Sequence, residues 1–224
     1  MKVSVGILQF TNVFLQPVEI SKFRGFIGSV FKPYNLIHNH DVDTGKLYYR
    51  YPLIQFKSIK ETPIVLAITN EALNVFKEIF MTINEVIIDK RKIPVYEKDF
   101  TIKNVDIGFV EETYSYEFIS PWLGLNQKNY DLYVRTGSIT KKYDILKNIL
   151  IGNILSMAKG LGIWLNIYER IIIESIKLKE KRVRLKGTGM DGFIGSFKTN
   201  FLIPDYLGIG KSVSRGFGAI RKIK

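Results

Sequence analysis

The chain has 224 residues and no cysteine, which excludes disulfides, thiolate metal sites and cysteine nucleophiles. At 46% hydrophobic and 24% charged it is globular rather than disordered, and no apolar run approaches the ~18 residues of a membrane span. Its net charge of +12 is uneven: residues 170–224 hold 13 Lys and Arg against four Asp and Glu, so nine of the twelve net charges sit in the last quarter. That asymmetry points to a polyanion, nucleic acid first, held by the C-terminal part. The opening apolar run is too short for a signal peptide, so a cytoplasmic protein is expected, with no membrane partner.

In chain order, residues 3–10 read as a first strand. Ser21 is placed to cap a helix carrying Phe23, Phe26, Ile27, Val30 and Phe31 at helical spacing, with Pro33 to end it. A polar loop, 34–45, holds both histidines. Residues 46–60 and 63–69 read as strands. Asn70 is placed to cap a helix through Leu73, Val75, Phe76, Ile79 and Phe80, and strands are expected at 86–89 and 93–105. This β-α-β-β-α-β order predicts a ferredoxin-like, RNA-recognition-motif-like unit. The second half repeats the order loosely: strands at 112–121 and 130–136 joined by a long turn, a helix over 141–161, paired strands at 168–179 and 181–186, then strands at 193–203 and 216–223. The expectation is an α+β protein of two tandem ferredoxin-like βαββαβ units, 1–109 and 110–224, with a Gly-rich loop near the C-terminus.

That loop places Gly208, Gly210, Gly216 and Gly218 around Lys211, Ser212, Ser214 and Arg215. Glycine lets backbone approach a ligand closely, and interleaved cations and hydroxyls suit a phosphodiester. Gly210-Lys211-Ser212 matches the end of a P-loop, but Asp205 stands where its first glycine belongs, and no long helix fits in the twelve residues after Ser212. Nucleotide hydrolysis is therefore rejected. Arg182 and Arg184, with Lys186, lie in a basic hairpin that suits an RNA stem, or equally a solvated strand edge.

The two histidines are His38 and His40. In an extended segment they share one side. Imidazoles titrate near neutral pH, so the pair suits a general base and a general acid, and Lys46 suits a developing phosphorane charge. This is a minimal kit for RNA cleavage by the ribose 2′-OH. Two other readings stay open here: His38, His40, Asp41 and Asp43 as metal ligands, and a solvated loop beside the turn-forming Asp43-Thr44-Gly45.

The glycine pattern Gly208-Ile-Gly-Lys-Ser-Val-Ser-Arg-Gly-Phe-Gly218 is similar to the G-h-G-x5-G-h-G signature of the repeat-associated RNA-binding superfamily. With Phe23-Arg-Gly-Phe-Ile27, the following histidines and Tyr51-Pro-Leu-Ile-Gln-Phe-Lys57, the whole chain resembles the sixth family of CRISPR-associated proteins, the repeat-RNA endoribonucleases. The resemblance implies metal-independent, cofactor-free cleavage of precursor CRISPR RNA within repeats, leaving 2′,3′-cyclic phosphate and 5′-OH ends. It implies His38, His40 and Lys46 as catalytic. The RNA-binding set follows from charge: Lys211, Ser212 and Arg215 as phosphate contacts and Arg182 and Arg184 on the basic hairpin, completed by Arg24 and the four loop glycines. The helical Tyr of some members falls at Gly28; Tyr34, Tyr48 or His38 is left to fill that role. The implied partners are repeat RNA and subunits of a CRISPR effector complex, and a homodimer is left open. The glycine signature is shared with RNA-binding relatives that do not cut, so a non-catalytic RNA-binding subunit is the second reading. A metal-dependent phosphodiesterase is the third.

Overall fold

The computed structural model describes residues 1–31, 51–185 and 187–223. By internal contacts the chain divides into two units. One comprises Lys2–Val105 with Val213–Gly216; the other comprises Met1, Asp106–Ser212 and Phe217–Lys224.

The N-terminal unit contains strands β1 (Lys2–Phe10), β2 (Ile54–Ile59), β3 (Thr62–Ile68) and β6 (Lys98–Asp106) in the spatial order β2-β3-β1-β6, the ferredoxin-like arrangement. Helices α1 (Ile20–Val30) and α2 (Asn70–Thr82) share one core with the sheet. Phe23 of α1 meets Phe10 and Phe56 edge-on, with ring centroids 5.3 and 5.7 Å away. Gly6 of β1 lets α2 come close, since a Cβ there would sit 2.4 Å from Leu73 Cδ2.

Helix α1 begins earlier than a Ser21 cap allows. Pro17 opens a 3-10 turn over Pro17–Glu19, and Glu19 Oε2 accepts the Gln16 N–H at 2.9 Å, so the chain enters the helix already turning. Thr69, not Asn70, is the N-cap of α2, with Asn70 its first residue. The strand expected over 93–105 is two: β5 (Arg91–Pro94) forms a small hairpin with β4 (Glu85–Ile88), and β6 follows separately.

The C-terminal unit repeats the same order, β10-β7-β9-β8, with β7 (Gly108–Trp122), β8 (Ile173–Leu185), β9 (Thr188–Leu202) and β10 (Ile220–Lys222). Helices α3 (Gln127–Arg135) and α4 (Ile139–Gly160) connect β7 to β8. Between β9 and β10 the Gly-rich loop, with a 3-10 turn at Val213–Arg215, occupies the place of a second crossover helix. Aromatic side chains fill this core: Trp122 is parallel to Phe118 with ring centroids 5.6 Å apart, and its indole N–H donates to Asn153 Oδ1 at 3.0 Å.

Three sequence expectations are corrected here. The strand expected at 130–136 is instead the later part of helix α3, which ends at Arg135: Asn126 Oδ1 accepts the Asn129 N–H at 2.8 Å and caps α3. The pair expected at 168–179 and 181–186 is one continuous strand, β8, whose partner is β9; the reversal comes at Gly187, with φ +82. The closing strand spans only Ile220–Lys222, not 216–223. Among the described residues, no helix is long and apolar enough to cross a membrane.

Candidate nucleic-acid interface

The Gly-rich loop is knitted by backbone hydrogen bonds. In the C-terminal unit the Ile209 N–H donates to the Gly218 carbonyl, the Gly218 N–H to Pro121 and the Lys211 N–H to Leu123, each at 2.9 Å. Two glycines are needed for this closeness. At Gly218 (φ +64) a Cβ would lie 2.0 Å from the Ile209 carbonyl oxygen; at Gly210 (φ +92) it would lie 2.7 Å from the Trp122 indole nitrogen. Their first use is thus to let loop backbone pack on backbone and on Trp122.

Lys211 is exposed overall, yet its ammonium donates to the Leu125 carbonyl at 2.7 Å. Ser212 adopts a left-handed φ of +55, where the chain swings from one unit to the other. Gly208 forms an isolated bridge with Ala219.

Residues 213–216 belong to the N-terminal unit. Val213 and Ser214 are buried, leaving Arg215 as the partly exposed side chain of the turn. Gly216 packs near Ile20 of α1. Arg24, also on α1, has its pKa lowered, first by burial and then by the charge of Arg215.

On the hairpin, Arg182 and Arg184 lie two residues apart on one face of β8, both exposed. Arg182 is tied to Asp191 across the strands at 2.6 Å, and this hydrogen bond and charge hold its pKa up. Arg184 faces Gly189 in the register. His38, His40 and Lys46, with Tyr34, Tyr48 and Lys186, lie outside the described residues.

One residue that sequence reasoning left unassigned is Lys57. Alternation along β2 puts Ile54 and Phe56 on the core side, which would leave Gln55 and Lys57 facing solvent. Instead Gln55 and Lys57 are 0% exposed. Gln55 Nε2 donates to the Tyr51 hydroxyl at 2.8 Å and the Pro52 carbonyl at 3.0 Å. Lys57 Nζ donates to the Val213 carbonyl of the loop turn at 2.7 Å. The only hint in the sequence was that an edge-type strand carries Gln and Lys where its flanks are strongly apolar.

Burial lowers the Lys57 ammonium to about 7. From about pH 7 to its ordinary value near 10.5 the unfolded chain holds a proton there that the folded chain has lost, so this residue makes the fold more stable as pH rises through that window. The melting temperature of wild type minus that of Lys57→Met is expected to climb from about pH 7 to about pH 10. A pH-independent difference would contradict it.

Known proteins resemble this chain along its whole length. A Cas6b N-terminal domain model matches residues 1–106 and a Cas6b C-terminal domain model matches 108–223. A crystal structure of Cas6b is 34% identical over 100% of both chains, with a TM-score of 0.93. A crystal structure of a CRISPR RNA processing endoribonuclease Cas6b is 31% identical over 100% of both, with a TM-score of 0.80. An uncharacterized protein of Methanocaldococcus jannaschii is 37% identical over 147 residues, 66% of this chain and 98% of that one.

Proposed function

Because the chain belongs to the Cas6b family, we propose that it is an endoribonuclease that cuts precursor CRISPR RNA within its repeats, without a metal, by attack of a ribose 2′-OH on the adjacent phosphorus. One histidine of the His38/His40 pair takes the 2′-OH proton. The oxygen then displaces the 5′-oxygen, and the other histidine gives that leaving group a proton. The step consumes no water and leaves a 2′,3′-cyclic phosphate and a 5′-OH. Lys46 balances charge on the phosphorane.

The observation that carries the RNA-holding half is the Gly-rich loop, whose backbone bonds hold Lys211 in place and lead into the turn that carries the partly exposed Arg215. Phosphate contacts position a strand without reading its sequence, and a guanidinium suits a phosphodiester. Lys211, Ser212 and the hairpin arginines Arg182 and Arg184 extend this hold, with Gly208, Gly210, Gly216 and Gly218 shaping the loop. The 31% identity to a solved CRISPR RNA processing endoribonuclease supports the substrate class.

Incubating repeat RNA with the protein in EDTA is expected to give cut products with cyclic phosphate ends. RNA bound but left intact, in EDTA and with divalent ions alike, would favour the non-catalytic binding subunit. Cutting only on addition of a divalent ion would favour a metal-dependent phosphodiesterase. Arg24→Ala and Arg215→Ala are each expected to weaken repeat RNA binding about tenfold. Each is also expected to flatten the slope of log affinity against log salt by about 0.7, the loss of one single-strand phosphate contact. Slopes unchanged in both variants would remove the pair from the interface.

A further inference from the structure

Lys57 is fully buried, so it cannot touch RNA. Removing an ammonium from water is costly, and such a group is kept where its hydrogen bonds serve a purpose. Here one of them reaches 156 positions along the chain to the Val213 carbonyl. The turn it grips, Val213–Arg215, is a single 3-10 turn with no strand ladder of its own. It lies between two left-handed residues, Ser212 at φ +55 and Gly216 at φ +98, so the chain bends sharply on either side. Val213 is 2% and Ser214 8% exposed, while Arg215 is partly exposed.

We propose that Lys57 is a positioning residue for RNA binding: its ammonium fixes the Val213 carbonyl, and through that turn sets the aim of Arg215. This role rests on the reading of Arg215 as an RNA contact. A fixed backbone anchor spares a long arginine the loss of freedom it would otherwise suffer on binding.

Structural and positioning roles differ in what they do to stability. Methionine has nearly the length of lysine and removes the buried charge, so Lys57→Met is expected to melt near or above wild type at pH 7. Its affinity for repeat RNA is expected to fall several-fold even so. Lys57→Gln, which still offers an N–H donor to the same carbonyl, is expected to fall between wild type and Lys57→Met. It carries the comparison if Lys57→Met does not fold.

The decisive comparison is the cycle of Lys57→Met, Arg215→Ala and the double variant, read as repeat RNA affinity with melting temperature alongside. If Lys57 acts through Arg215, the double variant binds no more weakly than Arg215→Ala alone. If Arg215→Ala weakens binding but Lys57→Met does not, or if the two losses multiply, the Lys57 role is overturned while the Arg215 reading stands. If Arg215→Ala binds like wild type, the Arg215 reading fails and the Lys57 role fails with it.

Discussion

The His38→Ala/His40→Ala double variant is expected to cut repeat RNA at least about a thousandfold more slowly than wild type, with affinity unchanged within about twofold. Each positioned general acid or base supplies about 10²–10⁴ in rate. Groups that hand one proton in and another out act as a unit, so either single variant should lose nearly as much as the double. Binding survives because the proposed phosphate contacts, Arg24, Arg215 and Lys211, lie elsewhere in the sequence. Single-turnover cleavage at saturating protein separates the rate from the affinity. A double variant that cuts at the wild-type rate would remove proton transfer from this loop.

Gly218→Ala is expected to be the most damaging substitution in the Gly-rich loop. The left-handed φ of +64 is itself unfavourable for alanine. The added methyl would also sit 2.0 Å from the Ile209 carbonyl oxygen, where a backbone bond from Ile209 N–H to Gly218 O already closes the loop. Neither neighbour is a flexible side chain that can give way. The expected cost is about 2–4 kcal/mol, or roughly 5–15 °C in melting temperature for a chain of this size. RNA affinity should fall with it as Arg215 loses its frame. Gly152→Ala is the matched control: this glycine is inside α4 with no neighbour near the new methyl. Alanine there should leave stability unchanged or raise it by up to about 1 kcal/mol. Equal melting temperatures for the two variants would show that the loop relaxes more easily than its geometry implies.

Regions where local pattern and tertiary burial agree were legible in the sequence. Leu73, Phe76 and Ile79 recur at helical spacing and all face the core from α2. The β-α-β-β-α-β order of the first half therefore led directly to the ferredoxin-like sheet. Helix α3 was hidden because Tyr130, Leu132 and Val134 alternate as in a strand. In the structure Leu132 and Val134 are exposed and Tyr133 is buried, its hydroxyl donating to Glu180. The capping Asn126 was the better signal. Strand β8 was read as a pair of strands, 168–179 and 181–186, although the glycine needed to reverse the chain comes only at 187. At the candidate site, sequence singled out exposed-looking cations and glycines. It did not find Lys57, because a lysine in an alternating strand reads as solvent-facing unless a segment 156 positions away is known to grip it. The effect of the Arg215 charge on Arg24 was hidden for the same reason.

Cleavage chemistry itself is most directly tested by a repeat RNA carrying a single 2′-deoxy nucleotide immediately 5′ to the mapped cut, assayed in EDTA. If the ribose 2′-OH is the nucleophile, this RNA is bound as tightly as the all-ribose repeat and is not cut, while the all-ribose repeat yields a 2′,3′-cyclic phosphate. Cutting of the deoxy repeat at the same position and rate would show that another nucleophile opens the phosphodiester.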